Sequence, residues 1–243
     1  MPVPEDFSSP DLRARASVLF IYPEMKALLL SLLFCPALLA SSLLEDLDAK
    51  QVEEVARGGQ VVLLQPVEGN PWPRVRVYQK VAATPQEVAA VFFDYKNAKA
   101  YVPNVIKSSI SRQLAPCVAE VDYGIDVPIL PDEYYTARNT LTLGTDGGYL
   151  VTWSLVRALQ TKASEGSLRI ERWKDGAVIR YTNLVTPSSV MARLLRSTAI
   201  DQMKSTVKAI GARVEKQKEE KPDALKEEIR DLESALKNES GKQ

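Results

Sequence analysis

Residues Thr186 to Val214 read TPSSVMARLLRSTAIDQMKSTVKAIGARV, the longest helix this sequence supports. Pro187 stands at or just before the helix start, and Ser188 and Ser189 are side chains suited to capping its orphan amides. No proline follows before Val214, and the one glycine, Gly211, falls near the end. At about 1.5 Å per residue such a helix runs roughly 40 Å, the width of a small domain. Met203, Val207, Ile210 and Val214 step by four, three and four, forming one apolar stripe. At about 100° per residue, Val190, Met191, Leu194, Leu195 and Thr198 fall on nearly the opposite side. The switch predicts either a bend or break near Arg196–Ala199, or a front end buried against something else. A gating loop, a membrane and the N-terminal helix are the surfaces open to it.

Upstream, alternating runs divided by turn residues predict strands at Val61–Gln65, Arg74–Val81, Val105–Leu114, Val118–Val127, Tyr134–Leu143 and Tyr149–Leu155. Two more lie around Leu168 and Ile170 and over Ile179–Val185. Leu43–Arg57 reads as a short helix closed by Gly58-Gly59. Thr84-Pro85-Gln86-Glu87 has capping-box spacing and opens a helix that buries Val88, Val91 and Phe92. A second short turn follows at Asn97–Tyr101. The order is two strands, two small helices, six strands and the long helix. Consecutive strands joined by tight turns such as Asp146-Gly147-Gly148 and Asp175-Gly176 imply an antiparallel sheet covered by one helix, an α+β domain.

Composition closes off many chemistries. Lysine plus arginine number 31, as do aspartate plus glutamate, so no net field draws the chain to nucleic acid. Histidine is absent, which removes the usual general base near neutral pH and the commonest zinc ligand. The two cysteines, Cys35 and Cys117, are too few for a disulfide framework or a metal cluster. No cofactor or metal is expected.

Met25-Lys26 precedes ALLLSLLFCPALLASS, an uncharged apolar run with a small-residue end, as in a secretory signal peptide. Residues 1–24 carry four acidic and two basic side chains, so Met25 is expected to be the true start, 25–42 the signal and 43–214 the domain. The expected location is periplasmic or secreted. The alternative is a membrane anchor over 27–44, close to the minimum spanning length and interrupted by Pro36. The remainder, 215–243, is a charged tail divided by Pro222. In it Leu225, Ile229, Leu232 and Leu236 step four, three and four. Two heptads do not hold alone, so the tail is expected as a solvated helix, with docking on a protein partner as the other reading.

Three local stretches carry a resemblance. ATPQEVAAVFFDYKNAKAYVPNVIKS resembles the opening of the START-like superfamily of pollen allergens, polyketide cyclases and steroidogenic-acute-regulatory-type lipid-transfer domains. PDEYYTARNTL is similar to its middle strand, with Glu133, Tyr135 and Arg138 at the acidic, aromatic and arginine positions. TPSSVMARLLRSTAID is similar to the start of its C-terminal helix. The resemblance covers about Leu43 to Val214. It implies a helix-grip fold, a curved antiparallel sheet wrapped around the long helix with an apolar tunnel between. It also implies a lipid, sterol, isoprenoid quinone or polyketide as ligand.

Candidate ligand-binding residues follow from strand phase. Tyr123, Tyr135, Trp153 and Tyr181 lie on apolar faces and line a cavity or serve as ordinary core aromatics. Asn139, Arg157 and Asn183 continue those faces in phase with Ala137, Leu155 and Tyr181, and either meet a polar headgroup or find backbone and solvent partners. Arg138 is out of phase and suits a surface ion pair. Met191, Leu194 and Leu195 stand near the tunnel mouth in such a fold. Asp94, Asp132 and Glu133 are expected to be solvated or capping carboxylates. The expected function is non-catalytic binding or transfer of an apolar molecule, with transient membrane contact. A cyclase or aromatase, and a protein-interaction module with a packed core, are the alternatives.

Overall fold

A computed structural model describes residues 42–241, without the side chains of Ser42, Met191 and Ala192. The leader expected over 1–42 lies outside the described residues, apart from the backbone of Ser42. Eight strands form a single antiparallel sheet: β1 (Gln60–Gln65), β2 (Arg74–Val81), β3 (Val105–Ala115), β4 (Val118–Ile125), β5 (Glu133–Leu143), β6 (Tyr149–Ala158), β7 (Thr161–Trp173) and β8 (Gly176–Pro187). Their order is β1-β2-β8-β7-β6-β5-β4-β3, curved and unclosed, with β1 and β3 as edges. Helix α1 (Ala49–Ala56) precedes β1, and α2 (Pro85–Phe93) with the 3-10 turn Tyr95–Ala100 carries the chain from β2 to the far edge. At the C-terminus come α3 (Val190–Leu194), α4 (Arg196–Glu220) and α5 (Pro222–Ser240).

Several boundaries follow directly from local chemistry. In the capping box of α2, Glu87 N donates to Thr84 Oγ1 (3.2 Å) and Thr84 N to Glu87 Oε2 (2.7 Å). The expected Leu43–Arg57 helix is instead split. Asp48 caps α1, accepting from Gln51 N at 2.9 Å and donating its own N–H to Gln51 Oε1 at 3.0 Å, so the helix starts only at Ala49. Leu43 and Leu44 leave it to fill a small second core with Val55, Val61, Tyr78 and Val178. That core lies on the opposite face of β2 from Val75, Val77 and Val81. The N-terminal helix is therefore not what the front of the long helix meets.

The long helix does break, at Leu195, between α3 and α4. Met203, Val207, Ile210 and Val214 are all buried in the main core, and α4 continues past Val214 to Glu220. A Cβ on Gly211 would stand 2.8 Å from Gln79 Nε2, so the missing side chain lets the helix lie close on β2. Ser188 does not cap this helix. Its N and Oγ both donate to Gln160 O, at 2.9 and 2.6 Å, because β8 stays extended through Pro187.

The tail corrects the expectation of a solvated helix. Helix α5 packs on α2, with Leu225 and Leu232 buried in the main core. Ala90 and Phe93 of α2, which share a cleft with Ala224 and Asp231 of α5, belong to the partner surface that two heptads lack alone. Gln217 Nε2 donates to Glu228 Oε1 (2.6 Å) across the α4–α5 turn, and Gln86 Nε2 to Glu233 Oε1 (2.7 Å) from α2.

Candidate functional site between the sheet and the long helix

Antiparallel register brings the β1–β2, β4–β5 and β6–β7 loops and the β8–α3 junction to one end of the sheet. Hydrogen bonds tie them together there. Gln160 Nε2 donates to Pro131 O (2.7 Å), Gln160 N to Glu133 Oε2 (2.8 Å), and Ser188 to Gln160 O. Trp72 Nε1 reaches across to Arg193 O at 3.3 Å. Just inside lies an outer pocket of about 220 Å³, lined by Trp72, Asp126, Leu130, Glu133, Leu195 and Thr198 among others. It adjoins an inner pocket of about 250 Å³ that reaches Phe92, Tyr95, Tyr101, Asn139, Trp153 and Met203. Tyr135, Leu155, Asn183, Val185 and Gln202 line both.

The inner wall is aromatic. Tyr123 stacks on Tyr135 with centroids 5.2 Å apart, Trp153 leans on Tyr181 at 5.0 Å, and Phe92 meets Trp153 at 6.2 Å. Gly166 makes the indole possible. It pairs with both Trp153 and Asn183, and a Cβ there would collide with the Trp153 ring and with Thr182 O. Trp153 Nε1 donates to Asn183 Oδ1 at 3.3 Å, and Asn139 Nδ2 to Ala137 O at 3.2 Å. The two asparagines are thus partly satisfied and still present amide atoms to the pocket.

Four tyrosine hydroxyls are different. Tyr95 is 3% exposed and its hydroxyl has no partner among the described residues. Among the described residues no hydrogen bond reaches the hydroxyls of Tyr123, Tyr135 or Tyr181 either, and all three line the inner pocket. Burial raises the pKa of all four above the ordinary phenol value, and for Tyr123 the neighbouring tyrosines add to the rise. They stay protonated. Among the described residues the inner pocket is lined by no Asp, Glu, Lys or Arg, and the outer pocket by only Asp126 and Glu133. Glu133 is buried, not solvated as expected. Desolvation raises its pKa, and the bond from Gln160 N opposes that rise. No three His, Cys, Asp or Glu side chains among the described residues are placed to hold a metal ion.

The sequence candidates separate cleanly. Tyr123, Tyr135, Asn139, Trp153, Tyr181 and Asn183 all reach the inner pocket. Leu195 lines the outer one, while Leu194 points to solvent. The side chain of Met191 lies outside the described residues. Arg157 does not face the pocket. A bulge slips the β5–β6 register between Thr136↔Arg157 and Ala137↔Leu155, so Val156 is extra and the phase inverts. Arg157 consequently lies exposed on the outer face, its Nε donating to Thr136 Oγ1 (2.9 Å) and its guanidinium 3.5 Å from Asp122. Arg138 pairs with Glu120 at 2.8 Å on that same face. Sequence phase did not point to Tyr95, Tyr101 or Trp72. They sit in a 3-10 turn, just after it and in a proline-rich loop, where no strand periodicity marks an inward side.

No protein-family model and no curated protein sequence matches the chain. Solved structures do. The chain is similar to the STAR-related lipid transfer protein of Xanthomonas axonopodis, with 19% identity and a TM-score of 0.59 over 65% of this chain and 94% of that one. It is similar to the Zhui aromatase/cyclase of a Streptomyces species, with 15% identity and a TM-score of 0.54 over 60% and 96% of the two chains. Human STARD10 is similar at 19% identity and a TM-score of 0.54, over 68% and 75%. A sheet of eight antiparallel strands closed over by a long C-terminal helix, superposing on these structures, is the START-like helix-grip fold.

Proposed function

We propose that this protein binds an apolar small molecule in the two adjoining pockets, acting as one cavity, and moves it between membranes without covalent chemistry. The observation that carries this reading is the aromatic, uncharged inner pocket, which adjoins the outer pocket at an end of the sheet rimmed by apolar side chains. Ile129, Leu159, Val190 and Leu194 stand there 92%, 70%, 69% and 71% exposed. Each belongs to one of the segments gathered around Gln160, or to α3 beside it. Such a rim suits a lipid surface, so that a ligand passes from bilayer to pocket without crossing water. Burying about 300 Å² of ligand at about 25 cal/mol per Å² contributes about 7–8 kcal/mol. The names of the similar structures, a lipid transfer protein and an aromatase/cyclase, support an apolar ligand. Export by the 25–42 leader belongs to the same proposal and places the exchange between membranes outside the cytoplasm.

Native mass spectrometry and solvent extraction of the protein purified from its own host test it. A co-purifying apolar molecule in stoichiometric amount is expected. An empty protein that neither takes up lipid from vesicles nor sediments with them would overturn it. The paired substitution Ile129→Ser and Leu194→Ser should lower vesicle binding severalfold at unchanged melting temperature.

A further inference from the structure

We propose that the inner pocket selects an uncharged lipid bearing a hydroxyl or carbonyl oxygen, and discriminates against lipids with anionic heads. The inference rests on the ligand-binding reading above and adds the chemistry of the ligand. Tyr123, Tyr135 and Tyr181 line the inner pocket and their hydroxyls have no protein partner among the described residues, and Tyr95, which also lines it, has a buried hydroxyl that likewise has none. Hydroxyls among aromatic rings are normally hydrogen-bonded, so several donors that line one pocket without a protein partner point to an acceptor atom supplied from outside the chain.

That acceptor is neutral, for two independent reasons. A carboxylate or phosphate taken into such a space needs a compensating positive charge, and no lysine or arginine lines either pocket among the described residues. Arg157, the one cation that strand phase directed inward, is turned to the outer face by the β6 bulge. The passage in is also unfavourable to anions, because the ionisable groups lining the outer pocket are Asp126 and Glu133. Neutral hydroxyls donate to a ketone, quinone or alcohol oxygen at full strength without any ion having to be dehydrated. Asn183, held by Trp153, supplies an amide at the junction of the two pockets, where a second oxygen on a longer ligand would sit.

Displacement of bound Nile red, an uncharged fluorophore, tests this with four competitors of one chain length: an alkane, an alcohol, a methyl ketone and a carboxylate. At about pH 8 the carboxylate is fully ionised. The alcohol and ketone are expected to bind about tenfold or more tighter than the alkane, equivalent to about 1.4 kcal/mol, and the carboxylate weakest. The alcohol and ketone arms separate a hydroxyl-bearing from a carbonyl-bearing ligand. Tyr135→Phe and Tyr181→Phe should reduce the ratio of oxygenated-ligand to alkane affinity measured within each variant, and an unchanged ratio in both overturns the inference. Equal binding of carboxylate and alcohol, or retention of a phosphate-headed lipid by the purified protein, overturns the inference and leaves ligand carriage standing. Failure to bind Nile red or any competitor overturns both.

Discussion

Replacing Leu232 with alanine tests whether the charged tail belongs to the folded domain. Leu232 is 0% exposed, and it sits with Leu225 in the main core between α5 and α2. Truncating a fully buried leucine costs about 2–5 kcal/mol, the transfer free energy of the lost atoms plus the cavity they leave. At about 3 kcal/mol, a domain of this size melts roughly 6–12 °C lower. In urea, with m of about 2–3 kcal/mol per M, the midpoint falls by roughly 1–1.5 M. Leu194→Ala on the exposed front helix is the matched control and should stay within about 0.5 kcal/mol of the parent. The measurement is an equilibrium urea titration followed by far-UV circular dichroism, with hydrogen exchange read over Leu225–Leu236. Exchange distinguishes a tail that unfolds with the domain from one that opens on its own before it. If Leu232→Ala shifts the midpoint no further than Leu194→Ala, with fast exchange along α5 in the parent, the docked tail is wrong.

Other consequences are equally direct. Gly166→Ala puts a methyl against the Trp153 ring and Thr182 O, so a loss of about 1–3 kcal/mol is expected, with a changed tryptophan emission; parental stability and emission would contradict the packing. Burial and the Asp46 carboxylate push Tyr78 up to about 12. Between its unfolded value near 10 and that folded value the unfolded chain has lost a proton that the native chain keeps. The corresponding stability is present below about pH 10 and falls as pH rises toward 12. Tyrosinate absorbance should therefore rise largely together with unfolding above about pH 10, and a full rise with unchanged circular dichroism would refute the buried tyrosines. Cys117 is buried, and burial lifts its thiol to about 11. In a Cys35→Ala background it should react with an aromatic disulfide reagent at neutral pH only after denaturant is added, and rapid native labelling would show the site open.

What could be read from residues alone follows the reach of each signal. Alternation over β2, β4 and β5 and the Thr84–Glu87 box are local, and the fold keeps them. The Arg157 assignment failed because period-two phase holds only while the register does, and the bulge at Val156 leaves no mark in composition. The docking of α5 was hidden for another reason. Its leucine seam is a weak coiled-coil signal until α2 packs against it, and that surface is tertiary. Tyr95 carries no such signal, because a 3-10 turn has no inward face that a linear pattern can announce, yet the residue lines the inner pocket.

The break at Leu195 connects these levels. An uninterrupted helix carrying the Met203–Val214 stripe onto β2 would keep Leu195 in step with Thr198, Ala199 and Gln202 on the outer pocket, and would also fix Val190 and Leu194 by the same period. Breaking the helix uncouples its two ends. The α4 end is held by buried apolar contacts and by Gly211 against Gln79, whereas the α3 end is held by a few exposed bonds, Trp72 to Arg193 O and Ser188 to Gln160 O. Exposed hydrogen bonds of that kind are worth about 1 kcal/mol each, far less than the buried stripe. The front helix and the loops around Gln160 therefore form the least costly part of the pocket wall to move. It is also where the exposed apolar side chains stand. On the proposed function, opening the mouth against a lipid surface would therefore require no loss of the core that holds the sheet to the helix.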